Sequence, residues 1–265
     1  MCGLTGIVFG KKKRTKKELD ALRELFTSLF VFSEQRGVHA SGLATISEDG
    51  KSNLYKLPLS PTKMICTLGY KRVLDSVSNT TTLLIGHSRW KTVGTEYNNG
   101  NNQPVVAGSI VGTHNGTIRN ADSLFRLYGL KRRAEVDSEV LFRLADKSIQ
   151  DGVINLPQYK SYLERCLGTL TCVLVSKKDP SNVFLVKGNN PLEIYYSSKY
   201  DVLIYSSVQS YIEDSIFDDE SWKRLDIKPF TIYQTNYYDL HTVLTDTFCL
   251  GTATAITMKK AANDF

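Results

Sequence analysis

Leu4, Ile7, Val8 and Phe9 form a short, almost wholly apolar run, as a strand buried on both faces requires. Thr15 and Glu18 then carry the spacing of a capping box. Leu19, Leu22, Leu25, Phe26, Leu29 and Phe30 follow at helical intervals, which predicts an amphipathic helix to about residue 32. Beyond Gly37 the pattern changes to β-branched and apolar runs between turn residues, predicting strands over 41–46, 53–57, 81–86 and 105–113. The last of these runs into His114-Asn115-Gly116, where Asn-Gly reads as a tight turn. Helices are predicted over 120–128 and 137–149, capped by Asn120 and Asp137, with a third over 158–167. Strands follow over 170–176, 183–187, 192–197 and 202–206, with 178–182 as the hairpin loop between the first two. A helix over 208–217 and strands over 231–237 and 243–249 complete the pattern. Strand runs separated by paired helices, with few βαβ alternations, predict an α+β layered fold.

Composition narrows the function classes. The 265 residues are 42% apolar and 23% charged, which excludes disorder, collagen and coiled coil for the chain as a whole. No run approaches the roughly 20 apolar residues of a membrane span. The N-terminal stretch also lacks the order of a secretory signal, since a basic run stands where the apolar segment should be. The net charge is +6, and six cations fall within residues 11–17. The remainder is nearly neutral, so the run reads as a solvated turn before the first helix and gives no reason to expect nucleic acid as a partner. The five cysteines (Cys2, Cys66, Cys166, Cys172 and Cys249) are scattered without Cys-x-x-Cys spacing, and the histidines lack metal-ligand spacing. A reducing compartment, hence the cytoplasm (the host cytoplasm for a virally encoded chain), is expected, with no metal and no cofactor. With no internal repeat or linker, one domain is expected over 2–265, with 208–265 as a C-terminal extension of it.

Cys2 directly follows the initiator methionine, and its small side chain suits removal of Met1. The new terminus would carry a thiol of pKa about 8.5 and an α-amine of pKa about 7.7–8.0 on one residue, a nucleophile with its own base. Polar segments lie elsewhere: Arg36-Gly37, Gly86-His87-Ser88-Arg89-Trp90-Lys91-Thr92, His114-Asn115-Gly116 and Asp137-Ser138-Glu139-Val140. Taken singly each has a plainer reading: Asp137 as a helix cap, Arg89 as an ion-pair residue, Asn115-Gly116 as a turn, Trp90 as packing.

Together, in this order, these segments resemble the class II glutamine amidotransferases, the Cys-type branch of the N-terminal nucleophile hydrolases. The start Met1-Cys2-Gly3-Leu4-Thr5-Gly6-Ile7 is similar to the family's start. Residues 86–92 resemble the Gly-His-Thr-Arg-Trp-Ala-Thr segment of glucosamine-6-phosphate synthase, and 114–120 its His-Asn-Gly-Ile-Ile-Glu-Asn. Residues 136–141 resemble the Asp-Ser/Thr-Glu-Val found there and in phosphoribosylpyrophosphate amidotransferase. The resemblance is sharp over about 2–145 and looser to Ser207.

It implies a four-layer αββα sandwich and a glutaminase. In that reading the Cys2 thiolate attacks the side-chain amide of L-glutamine and the Cys2 amine moves the proton. Asn115 and the Gly116 N–H hold the oxyanion. Arg89 and Thr92 take the substrate carboxylate, Asp137 takes its ammonium, and Arg36 and Gly37 support the nucleophile. Val93 and Gln103 stand where the synthase has histidines, so a contact is expected to be missing. About 60 residues follow Ser207, too few for the ammonia-using domain of these enzymes, and no P-loop or phosphoribosylpyrophosphate motif occurs. A separate ammonia-accepting synthase is therefore the expected partner, and no membrane is. Alternatives are a hydrolase of another γ-glutamyl amide, or a catalytically silent scaffold or glutamine sensor of the same fold.

Overall fold

The computed structural model describes residues 2–216 and 219–251. The expected removal of Met1 and the parts of the 208–265 extension at 217–218 and 252–265 lie outside the described residues. In chain order the elements begin with β1 (Gly3–Phe9), α1 (Lys16–Phe32), β2 (Ala40–Ser47), β3 (Ser52–Leu57), α2 (Pro61–Met64), α3 (Leu68–Asp75) and β4 (Thr81–Arg89). Next come β5 (Val105–Ala107), β6 (Ile110–Ile118), α4 (Ala121–Leu127), α5 (Glu139–Lys147), β7 (Ile149–Gln150), β8 (Val153–Ile154) and α6 (Leu156–Leu163). The rest are β9 (Gly168–Ser176), β10 (Asp179–Lys187), β11 (Glu193–Ser197), β12 (Val202–Ser206), α7 (Gln209–Ile216), β13 (Trp222–Leu225), β14 (Thr231–Asn236) and β15 (Asp239–Thr247).

Two large antiparallel sheets stack face to face. One has the order β13-β11-β12-β1-β4-β2-β3 and the other β15-β14-β10-β9-β6-β5. Period-two alternation sorts the apolar side chains into three layers. Leu4, Val8, Leu83, Ile85, Leu203 and Tyr205 from the first sheet meet Val111, Val173, Val175, Val183 and Leu185 from the second between the sheets. The intervening residues Ile7, Phe9, Leu84, Val202 and Ile204 turn outward onto Leu22, Phe26, Leu29 and Phe30 of α1 and Ile212 of α7. On the other side Ile110, Leu170, Cys172, Leu174 and Phe184 face Val140, Leu141, Leu144 of α5 and Tyr159, Leu163 of α6. The result is the αββα sandwich. Each such buried aliphatic or aromatic side chain contributes roughly 1.5–3 kcal/mol, so the three layers and not the local propensities hold the fold.

The capping box before α1 forms as read, with the Thr15 hydroxyl accepting from the Glu18 N–H and the Glu18 carboxylate accepting from the Thr15 N–H. Other expectations need correction. The predicted strand over 105–113 is two strands folded on each other through Gly108, whose φ of +64° suits a turn. The predicted turn at Asn115-Gly116 is strand, because β6 continues to Ile118 and pairs with β9 throughout. Asp137 is not the cap of α5. The helix starts at Glu139 after Ser138, and the Asp137 carboxylate accepts from the Ile118 N–H at 2.5 Å. The short α2 and α3, the β7–β8 hairpin and β13 had no sequence reading; α3 buries only Tyr70 and Val73, too few positions to show a period. The hairpin loop read over 178–182 is mostly strand, with the pairing shifted between Asp179 and Val183.

Candidate active site

Four strand ends meet at one edge of the sandwich. Cys2 precedes β1, Arg89 closes β4, His114-Asn115-Gly116 lie in β6, and Ser207 follows β12. Pairing brings them together: Gly3 sits opposite Ser88, and Thr5 opposite Ser206 on the other flank of β1. Cys2 is half-buried. Its sulfur accepts from the Trp90 N–H at 3.3 Å and lies 3.6 Å from the Trp90 carbonyl oxygen. Its own carbonyl accepts from Arg36 Nε at 2.7 Å and from Asn115 Nδ2 at 2.8 Å. Burial pushes the Cys2 thiol above its ordinary pKa, opposed by the Trp90 N–H and by the charges of Arg89 and Arg36. Burial thus favours the neutral thiol, and such a thiol needs a base to become a nucleophile.

Gly37 packs against the Arg89–Trp90 peptide. A Cβ there would stand 2.5 Å from the Arg89 carbonyl carbon and 2.7 Å from the Trp90 nitrogen, so only glycine lets the segment approach. Gly116 has φ of +144°, and a Cβ on it would meet the Thr169 carbonyl oxygen at 2.0 Å. It is exposed at the site, whereas Asn115 is buried. Both Asn115 N–H donors are engaged, one by the Cys2 carbonyl and one by Ser207 Oγ at 2.8 Å, and the Asn115 carbonyl accepts from Asn190 Nδ2 at 2.9 Å. Ser207 Oγ also accepts from the Leu4 N–H at 2.8 Å, clamping β12 to β1.

Arg89 is only 4% exposed. Its guanidinium donates to Asn102 Oδ1 at 2.9 Å and to the Val93 and Gly94 carbonyls at 2.6 and 2.9 Å. This cation thus ties down the loop after β4, a commitment invisible in the motif. Burial lowers its pKa, while Cys2, Glu96, Glu135 and Asp137 act to keep it charged. Arg89 and half-buried Asp137 therefore feel each other's opposite charges. Thr92 is exposed on the loop after β4, beside a shallow recess that it lines with Lys91, Val93, Gly94, Thr95 and Glu135. Trp90 is 48% exposed and its indole packs edge-on against His39 at 4.9 Å between ring centroids, while its backbone touches Cys2.

Lys56 carried no signal in the sequence, and the partners of Gln103, His114 and Glu139 could not be read from their motifs. Gln103 brackets His114 as a strand partner would, accepting from its N–H at 2.6 Å and donating to its carbonyl at 2.9 Å. Lys56 donates to the Asn102 and Pro104 carbonyls at 2.6 and 3.1 Å, and burial with Arg89 nearby lowers its pKa to about 8. His114 Nδ1 lies 2.8 Å from Ser138 Oγ, linking β6 to the start of α5. Glu139, 1% exposed, pairs with Arg143 at 2.7 Å and accepts from the Arg133 and Ala134 N–H groups, holding the segment that leads to Asp137. Among the described residues no group of three His, Cys, Asp or Glu could hold a metal, and no helix is long and apolar enough to cross a membrane.

His87 is fully buried, and its pKa falls to about 3 through burial and then through Arg89 and His114. Its ordinary value is about 6.5, so the folded state resists its protonation while the unfolded chain does not. The native state is therefore favoured most above pH 6.5 and loses stability as pH falls from there toward 3. At pH 5 this one ring removes about 2 kcal/mol relative to pH 8. Denaturant unfolding at both pH values should show that loss in the wild type and not in His87→Gln; equal losses would refute the assignment.

An αββα sandwich of two antiparallel sheets, with a cysteine preceding the first strand at the strand-end site, defines the fold of the N-terminal nucleophile glutamine amidotransferases of class II. No protein-family model matches the chain. Among curated proteins, it is 29% identical over 249 residues to 7-cyano-7-deazaguanine synthase of Saccharolobus solfataricus, covering 92% of this chain and 50% of that one. It is 26% identical over 243 residues to glutamine–fructose-6-phosphate aminotransferase (isomerizing) of Streptococcus mutans, covering 90% of this chain and 37% of that one. Among solved structures, glutamine phosphoribosylpyrophosphate amidotransferase from B. subtilis superposes with a TM-score of 0.67 at 20% identity, over 93% of this chain and 49% of that one. The allosteric regulatory enzyme of purine biosynthesis gives a TM-score of 0.69 at 20% identity, over the same shares. The chain thus spans half or less of the length of these relatives. In sequence it is similar to these enzymes, and in fold it matches the class II N-terminal nucleophile glutamine amidotransferases.

Proposed function

We propose that this chain is a glutaminase unit that releases ammonia from the side-chain amide of L-glutamine for a separate synthase. One observation carries the reading: Cys2 Sγ, the Asn115 amide, Arg89 and Asp137 come from four distant parts of the sequence and gather at one edge of the sandwich. The likeness to relatives of different names supports it. Glutamine is named in the aminotransferase and in the phosphoribosylpyrophosphate amidotransferase, while the rest of their names differ, so the shared stretch fits the glutamine half of the work.

In this reading Met1 is removed and the Cys2 amine takes the thiol proton. The sulfur adds to the amide carbon, and the charge that develops on oxygen is met by Asn115 Nδ2 and the Gly116 N–H. Asn115 would exchange the Cys2 carbonyl for that oxygen, since both its donors are engaged beforehand. The same amine protonates the leaving nitrogen, the C–N bond breaks, and ammonia departs from a γ-glutamyl thioester. Water then cleaves the thioester to glutamate and restores the thiol. Arg89 pairs with the substrate carboxylate, assisted by Thr92, and Asp137 with its ammonium. Arg36 and Gly37 hold the Cys2 backbone and the Arg89–Trp90 peptide in place.

The test is direct. Purified protein should show an intact mass without Met1, convert glutamine to glutamate, and take up 6-diazo-5-oxo-norleucine on Cys2; retention of Met1 in an active protein would reject the mechanism. Arg89→Lys should raise KM for glutamine by about tenfold or more with a smaller change in kcat, because a point charge replaces a planar fork and the ties to Val93, Gly94 and Asn102 loosen. An unchanged KM would remove Arg89 from substrate binding.

A further inference from the structure

Between the sheets, at the site end, Asn115 sits in a buried polar cluster whose other members the proposed chemistry does not use. His87 follows Leu83 and Ile85 on the face of β4 that looks into the inter-sheet layer, and Thr113 and Asn115 follow Val111 on the facing side of β6. All three polar residues are almost fully buried. Neither ring nitrogen of His87 has a hydrogen-bond partner, and neither has Asn115 Oδ1 or Thr113 Oγ1. The His87 ring nevertheless adjoins the Asn115 side chain and the His114 carbonyl, both of which act on its charge.

An amide has two ends of similar shape and opposite polarity. Rotating Asn115 by half a turn would bring Oδ1 against the Cys2 carbonyl and remove the donor from the site. The orientation seen spends both N–H groups on Cys2 and Ser207 and leaves Oδ1 bare, and a buried acceptor without a donor costs about 1–3 kcal/mol. A neutral imidazole supplies one N–H donor. We propose that His87 donates this N–H to Asn115 Oδ1, and so holds the amide with Nδ2 toward Cys2 when the substrate oxygen displaces the Cys2 carbonyl. His87 is then a positioning residue acting through Asn115, an inference that rests on the glutaminase reading above. Burial first, and then the neighbouring charged and titratable groups Arg89 and His114, disfavour a proton on His87, which keeps the ring neutral through the working range.

The experiment compares wild type with His87→Leu and His87→Gln. The leucine variant should lose roughly 10- to 100-fold in kcat with KM within about threefold, and the glutamine variant, which keeps an N–H donor, should recover most of the loss. Alkylation of Cys2 by iodoacetamide, a displacement that builds no oxyanion, should stay within about twofold in both. A leucine variant with wild-type kcat, a loss confined to KM, or alkylation falling in parallel would overturn the proposal. If the leucine variant does not fold, nitrogen NMR of wild-type histidine decides: a neutral ring with one hydrogen-bonded N–H from pH 5 to 8 supports the bond, and a ring titrating near 6.5 overturns it. Wild type without glutaminase activity would defeat the functional reading, while the NMR result would still report on the His87–Asn115 pair.

Discussion

Replacing Cys2 by alanine should reduce glutamate release by at least about 10⁴-fold and abolish labelling by 6-diazo-5-oxo-norleucine, while the protein stays folded. The fold should survive because the sulfur's contacts are to the Trp90 backbone, at 3.3 and 3.6 Å, whereas the carbonyl that Arg36 and Asn115 grip remains in the variant. The activity should not survive, since no other cysteine is placed to substitute. Cys166 and Cys172 are buried beneath the second sheet with pKa values pushed up to about 12, and Cys66 and Cys249 lie elsewhere on the surface. A kinetic assay with circular dichroism and intact mass as controls decides it. Turnover persisting in Cys2→Ala would rule out the thioester.

Asn115→Ala should lower kcat by roughly 10²–10³-fold with little change in KM. The amide would contribute to the transition state, where negative charge forms on oxygen, and not to holding the ends of glutamine, which fall to Arg89 and Asp137. The structural cost should be modest, about 1–3 kcal/mol for the lost hydrogen bonds. Ser207 Oγ keeps the Leu4 N–H, and the Cys2 carbonyl keeps Arg36 Nε. Asn115→Asp conserves shape but cannot donate, so it should be at least as damaging. Steady-state kinetics together with a thermal melt separates these outcomes from unfolding, and a mutant that loses only affinity would move Asn115 out of the oxyanion role.

The extent to which the site could be read in advance varies with how local its determinants are. The motif around Arg89 marks the residue, and the apolar run before it marks a strand. Nothing in that stretch shows that Asn102, Val93 and Gly94 occupy its donors, because those partners arrive through the loop after β4. The Asn115-Gly116 pair carries a true local preference for a turn, yet nine register pairs with β9 outweigh it and keep it extended. Asp137 carries a true preference for capping, yet the Ile118 N–H at the end of β6 claims its carboxylate. Ser207 marks no more than a strand end, and His87 lies inside the 86–92 motif without any local sign of what its buried ring faces.

The order of apolar and polar residues was sufficient for the alternating strands, for α1 with its capping box and for the layered α+β class, since these follow from side-chain periodicity and from bonds spanning a few residues. The succession of short motifs also pointed to Cys2 and its companions. Which partners those side chains hold was decided only when the two sheets closed. Hydrogen bonds between β1, β4, β6 and β12 join positions up to 203 residues apart, and burial then sets which donors are spent, which remain bare and which ring stays neutral.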